Sequence, residues 1–128
     1  MKTENIKFRA KRLDNGEWVK GDLVHSTSYV GISYPSDEFS DVPIVHRVDP
    51  ETVCQFTGLK DCKGNEVWKG DIVEREIYDL YKGSTKVKAV VKYMDGEFVA
   101  VTGGIPYSLY FKYIKVVDNK FDRKEGEK

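Results

Sequence analysis

Two cysteines and two histidines carry the metal-binding and nucleophilic chemistry open to this chain: Cys54, Cys62, His25 and His46. On paper they make a four-ligand set. A zinc or redox centre, however, normally draws its thiolates from a Cys-x-x-Cys step, and Cys54 and Cys62 do not have that spacing. The histidines have no carboxylate or cysteine at a motif spacing, as nucleophilic catalysis would need. No nucleophile elbow and no phosphate-binding glycine loop is present. The expectation is two reduced thiols, no metal, no cofactor, no catalytic residues and no enzyme activity.

Two other groups of residues could make contacts. Lys86, Lys88 and Lys92 alternate beside Tyr93, and small β-barrels do bind nucleic acid by stacking bases on aromatics along a basic groove. Phosphate contacts from these lysines are therefore a candidate. Two facts weigh against it. Lys+Arg and Asp+Glu both total 21, so the chain lacks the usual basic footprint. Tyr93 also sits out of phase with the lysines and belongs to the opposite strand face. The strip Lys7, Arg9, Lys11 and Arg12 reads in the same way as a solvated face. The second group is Tyr107, Tyr110 and Phe111, in an uncharged aromatic segment after a Gly-Gly-Ile-Pro break. Aromatics of this kind are enriched in interface cores, and they form a candidate self-association surface.

The elements that must position these residues are mainly strands. Eight Tyr, six Phe and many Val favour extended chain. Ile6, Phe8 and Ala10 alternate with Lys7, Arg9 and Lys11, as a half-buried strand does. Asn15-Gly16 signals a hairpin. With a two-residue loop, Phe8 faces Leu23, Ala10 faces Gly21 and Arg9 faces Asp22. Lys11 then faces Lys20, which is unfavourable and leaves a longer loop open. Residues 29–34 and 43–48 read as strands about a polar loop from Pro35 to Pro43. Asp49-Pro50-Glu51-Thr52 reads as a turn, with room for one helical turn. Strands follow from Ile72 to about Tyr78 and from Lys86 to Tyr93. Asp95-Gly96 is a strong hairpin signal that sets Tyr93 against Phe98 and Val91 against Ala100. Residues 107–113 fit helix or strand. A strand at 114–117 precedes a polar tail from Asp118 onward.

The organising stretch is Phe56 to Val73. It holds a Lys63-Gly64 turn and a Lys69-Gly70-Asp71-Ile72-Val73 strand launch. Lys20-Gly21-Asp22-Leu23-Val24 matches that launch, and Phe8, Gly16 and Glu17 match Phe56, Gly64 and Glu66. Duplication and shared turn chemistry both account for the match. No apolar run reaches the ~20 residues of a membrane span, and the first residues lack the apolar core of a signal peptide. The expected location is the cytoplasm.

Lys7-Phe8-Arg9-Ala10, Trp18, Gln55-Phe56-Thr57-Gly58-Leu59-Lys60-Asp61, Gly64, Glu66 and Lys69-Gly70-Asp71-Ile72-Val73 together resemble the YopX family of phage and prophage proteins. The resemblance covers most of residues 6–117. It departs at Trp68, where Tyr is commoner, and at the Val117–Asp122 ending. It implies an SH3-like small β-barrel in the C-terminal half, with an additional β-hairpin region before it. The expected division is residues 1–50, 51–118 and a tail of 119–128. It also implies a viral or prophage origin, a host bacterial cytoplasm and homo-oligomers, and it brings no catalytic residue or cofactor. The function expected is an accessory interaction or assembly module that contacts host or phage proteins. Nucleic-acid binding is the alternative.

Overall fold

The computed structural model describes residues 2–37, 41–109 and 114–122, with Ile77 by its backbone alone. Its described elements are antiparallel β-strands and two short 3-10 turns, Thr3–Asn5 and Pro50–Thr52. Two compact units divide the chain, Met1–Phe56 and Thr57–Lys128.

The first unit carries β1 (Phe8–Lys11), β2 (Trp18–His25), β3 (Val30–Pro35), β4 (Pro43–Arg47) and the start of β5 (Cys54–Lys60). Their order in the sheet is β4-β3-β2-β1-β5. Ala10, Ile32 and Val48 are buried at its core, with Phe8, Val19, Leu23, Val30 and Val53 packed around them. The alternation read in β1 thus places Phe8 and Ala10 inward. The 3-10 turn pins β1 from below. Asp49 caps it by accepting from Glu51 N–H (3.0 Å), and Thr52 Oγ1 accepts the Lys11 N–H (2.9 Å). A single bridge, Arg12 to Val48, brings the end of β4 back to β1.

The β1–β2 register differs from the two-residue-loop expectation. Ala10 pairs with Val19 and Arg9 with Lys20, not with Gly21 and Asp22. The reason lies in the turn. Arg12 N–H donates to Glu17 C=O and Gly16 N–H to Arg12 C=O, both at 2.9 Å, closing a four-residue loop from Leu13 to Gly16. Asn15 Oδ1 accepts the Glu17 N–H, and the Asp14 carboxylate takes the Arg12 guanidinium at 2.9 and 2.6 Å. In this register Lys11 lies opposite Trp18, its Nζ 5.4 Å from the ring centroid, so the Lys11–Lys20 repulsion never arises. Arg9, now opposite Lys20, stacks its guanidinium 4.6 Å over the same indole.

The second unit carries the rest of β5, then β6 (Glu66–Trp68), β7 (Asp71–Asp79), β8 (Gly83–Met94), β9 (Glu97–Thr102), β10 (Ile105–Ser108) and β11 (Ile114–Asn119). Five of them form a sheet in the order β10-β9-β8-β7-β11. Val67, Val73, Ala89, Val91, Ala100 and Ile114 make its core. Asp95 and Gly96 both have positive φ, 52° and 85°, as a type I′ turn requires. Tyr93 therefore meets Phe98 and Val91 meets Ala100, as the Asp-Gly signal predicts. The described pairings end at β10 and β11. Residues 105–108 are strand, and the last strand runs two residues beyond its expected end, to a buried Asn119.

The two Lys-Gly-Asp copies do not share a structure. Gly70 has φ 91° in the turn before β7, and Asp71 is buried. Lys20-Gly21-Asp22 lies within β2, and Asp22 is exposed. Gly21 is there for space. A Cβ at this position would stand 2.2 Å from the Ser33 carbonyl oxygen. Gly21→Ala should therefore destabilise the fold by about 1–3 kcal/mol in urea unfolding, since the obstacle is backbone. An unchanged midpoint would contradict this packing.

Candidate functional site

The most tightly built polar groups lie in the Phe56–Val73 stretch, and their bonds hold strands in place. The Asp61 carboxylate accepts backbone N–H groups from Lys63 (2.9 Å), Asn65 (2.8 Å) and, 55 positions on, Val116 (2.8 Å), plus the Asn65 amide at 3.3 Å. Four donors fill the lone-pair sites of one carboxylate. Asp71 is 1% exposed and accepts the Trp68 N–H at 2.8 Å and the Asn119 side-chain amide at 3.0 Å. Thr57 Oγ1 donates to Val67 C=O at 2.7 Å. Gly70 N–H donates to Val91 C=O and its own carbonyl accepts from Lys120.

Burial alone would push the Asp61 carboxyl up. The N–H groups of Val116, Asn65 and Lys63 outweigh it and hold the group below the usual carboxylate range. A depressed folded-state pKa stabilises the protein above the unfolded value of about 3.9, and the contribution disappears as pH falls through the folded pKa. Asp61→Asn leaves one acceptor oxygen for four donors. It should lower stability at neutral pH by about 2–4 kcal/mol and flatten the acid limb of stability against pH. An acid limb identical to that of the parent would contradict the assignment.

The residues singled out for contacts fall on this same unit. Lys86, Lys88 and Lys92 share one exposed face of β8. Across the ladder, Lys88 meets Glu74 and Lys86 meets Glu76, while Lys92 meets Val99. Lys86 Nζ also lies 3.8 Å from the Glu74 carboxylate. The strip is thus matched by acid over two of its three lysines. Tyr93 is half-exposed and stacks edge-on against Phe98, with centroids 5.1 Å apart. Tyr107 lies in β10 opposite Ala100, half-buried, with the Arg75 guanidinium 5.6 Å over its ring. Tyr110 and Phe111 lie outside the described residues.

Two features escape a reading of the sequence alone. The first is the tip of the β7–β8 hairpin. Tyr78 is 78% exposed, Leu80 90% and Tyr81 97%. The Asp79 carboxylate accepts the Tyr81 N–H at 2.7 Å, which shapes the turn that holds them outward. The only signal was a Leu-Tyr step inside a segment read as loop. The second is a polar cluster on the first unit. Tyr34 O–H lies 2.8 Å from His46 Nε2, and a cleft of about 290 Å³ is lined by Leu13, Asp14, His46 and Arg47. The Arg12 ion pair holds the Asp14 carboxyl below its usual range, and Arg47 stacks 4.7 Å over Tyr29. This contact depends on the β3–β4 diagonal, which no spacing in the sequence reveals.

Cys54 is buried and donates its S–H to Thr52 C=O at 3.3 Å, while Cys62 is exposed. His25 is an exposed end residue of β2. Among the described residues, no three His, Cys, Asp or Glu side chains group as metal ligands. Nor, among them, is any helix long and apolar enough to cross a membrane.

The fold and these sites define a mainly β, two-unit protein whose best-organised polar residues hold strands in place and whose hairpin tip carries exposed apolar side chains. The family described as YopX protein matches residues 7–123, and the chain belongs to that family. No curated protein gives a significant match.

Proposed function

We propose that this YopX-family chain is a non-catalytic interaction or assembly module, encoded by a phage or prophage and working in the host cytoplasm as a homo-oligomer. Its second unit is read as an SH3-like small barrel. The observation that carries the proposal is the β7–β8 hairpin tip, where Tyr78, Leu80 and Tyr81 stand in solvent on a well-paired two-stranded arm. Three large apolar side chains at one hairpin end are poorly accounted for by folding, because none of them is buried. A protein surface that covers them gains about 25 cal/mol per Å² of apolar area. Part of that gain offsets the side-chain freedom that Leu80 and the two tyrosines lose on docking.

The tip is tested with Leu80→Asp/Tyr81→Asp. The variant should keep the parent's thermal midpoint, because neither side chain is packed. It should also lose the host or phage proteins that the parent retains from infected cells. Equal retention by both would refute the tip as the contact. Self-association is tested by sedimentation at micromolar concentration, where a single 14.7 kDa species would refute it.

The acid-matched lysines favour protein contacts over nucleic acid. Labelled single-stranded DNA should bind weakly at ~150 mM salt and release steeply as salt rises. Tight binding that survives a doubling of salt would overturn this part of the reading.

A further inference from the structure

The outer edge of β4 has an unusual composition. It reads Val42-Pro43-Ile44-Val45, with exposures of 71% at Val42, 37% at Ile44 and 43% at Val45. β4 stands at the end of its sheet. Exposed edge strands normally carry charge, because their unpaired backbone groups recruit other strands. Here the charges stand only beyond the ends of that stretch, at Asp41 and Arg47, and both are exposed.

The direction of the free backbone groups follows from the ladder. Val48 N–H donates to Val30 C=O at 3.0 Å, so these two residues form a hydrogen-bonded pair. Pairs alternate along an antiparallel ladder. Val45, opposite Ser33, and Arg47, opposite Gly31, therefore aim their N–H and C=O groups away from β3. Leu13 N–H takes the Arg47 carbonyl at 3.1 Å, in agreement with that direction. No described residue takes Val45 in the same way, so the open part of the edge is centred on Val45.

We propose that this edge docks a second copy of the chain, β4 against β4 and antiparallel, about a two-fold axis. This rests on the self-association proposed above and says where it occurs. Charge selects the occupant. Antiparallel pairing runs the Asp41 end of each strand toward the Arg47 end of the other, so the dimer brings two acid–base pairs together. Ile44 and Val45 of both copies cover one another between these ends. A two-fold contact uses one edge per chain and closes as a dimer. Pro43, which has no N–H to offer, keeps the paired segment short.

The test is sedimentation equilibrium from micromolar concentration to the solubility limit, with thermal melts to confirm folding. Asp41→Lys and Arg47→Glu should each weaken self-association about tenfold, and the double variant should recover most of the loss. Val45→Pro, which removes an outward N–H together with the Val45 side chain that covers the partner copy, should weaken it as well. If the parent associates but neither charge reversal changes it, the edge is not the interface, while self-association stands. Loss in both single variants without recovery in the double also overturns the pairing, and leaves an extended segment of another protein as the occupant. A parent that stays monomeric throughout overturns both this proposal and the self-association it rests on.

Discussion

The second unit depends on one constraint: β11 must be held at the edge of its sheet by a residue 55 positions earlier. Asp61 does this by offering one carboxylate to the Val116 N–H and to its own turn at once. Cys62 N–H then takes the Ile114 carbonyl at 3.1 Å. An edge strand that would otherwise present bare donors and acceptors is thereby closed by side chain and loop. Asp71 repeats the device one strand over, tying the Trp68 amide and the Asn119 side chain to the start of β7. A buried acid is tolerated here because its lone pairs are met, and removing its partners would leave a charge with nowhere to go.

The Thr-Gly-Leu-Lys-Asp and Gly-Asp-Ile-Val segments thus serve the frame of the second unit. The Thr57, Asp61 and Asp71 side chains in them are engaged in holding β5, β6, β7 and β11. Function is then sought in what the frame leaves exposed. The frame leaves out a hairpin tip of Tyr78, Leu80 and Tyr81 and, in the first unit, an apolar strand edge at β4.

Features fixed by local rules were legible in the sequence. Asp95-Gly96 specified a type I′ turn, and that turn specified the Tyr93–Phe98 pairing. The Pro50 turn and the inward Phe8 and Ala10 followed for the same kind of reason. The β1–β2 register was not legible, because Asn15-Gly16 closes a four-residue loop in which Arg12, Asp14 and Glu17 all take part. Asn119 reads as tail until its amide is seen on Asp71, 48 positions away. The Tyr34–His46 contact likewise exists only through the β3–β4 pairing. Of the residues singled out for contacts, the lysines keep their exposed face, but Lys86 and Lys88 meet carboxylates across the ladder, which alternation within one strand could not show.

The most direct test of this account is native-state hydrogen exchange at single amides. The N–H groups of Asn65, Trp68 and Val116, bonded to Asp61 and Asp71, should exchange only through global unfolding. That of Tyr81, on the exposed tip, should exchange by local opening. Exchange at Asn65, Trp68 and Val116 as fast as at Tyr81 would contradict the claim that these two carboxylates hold the unit together.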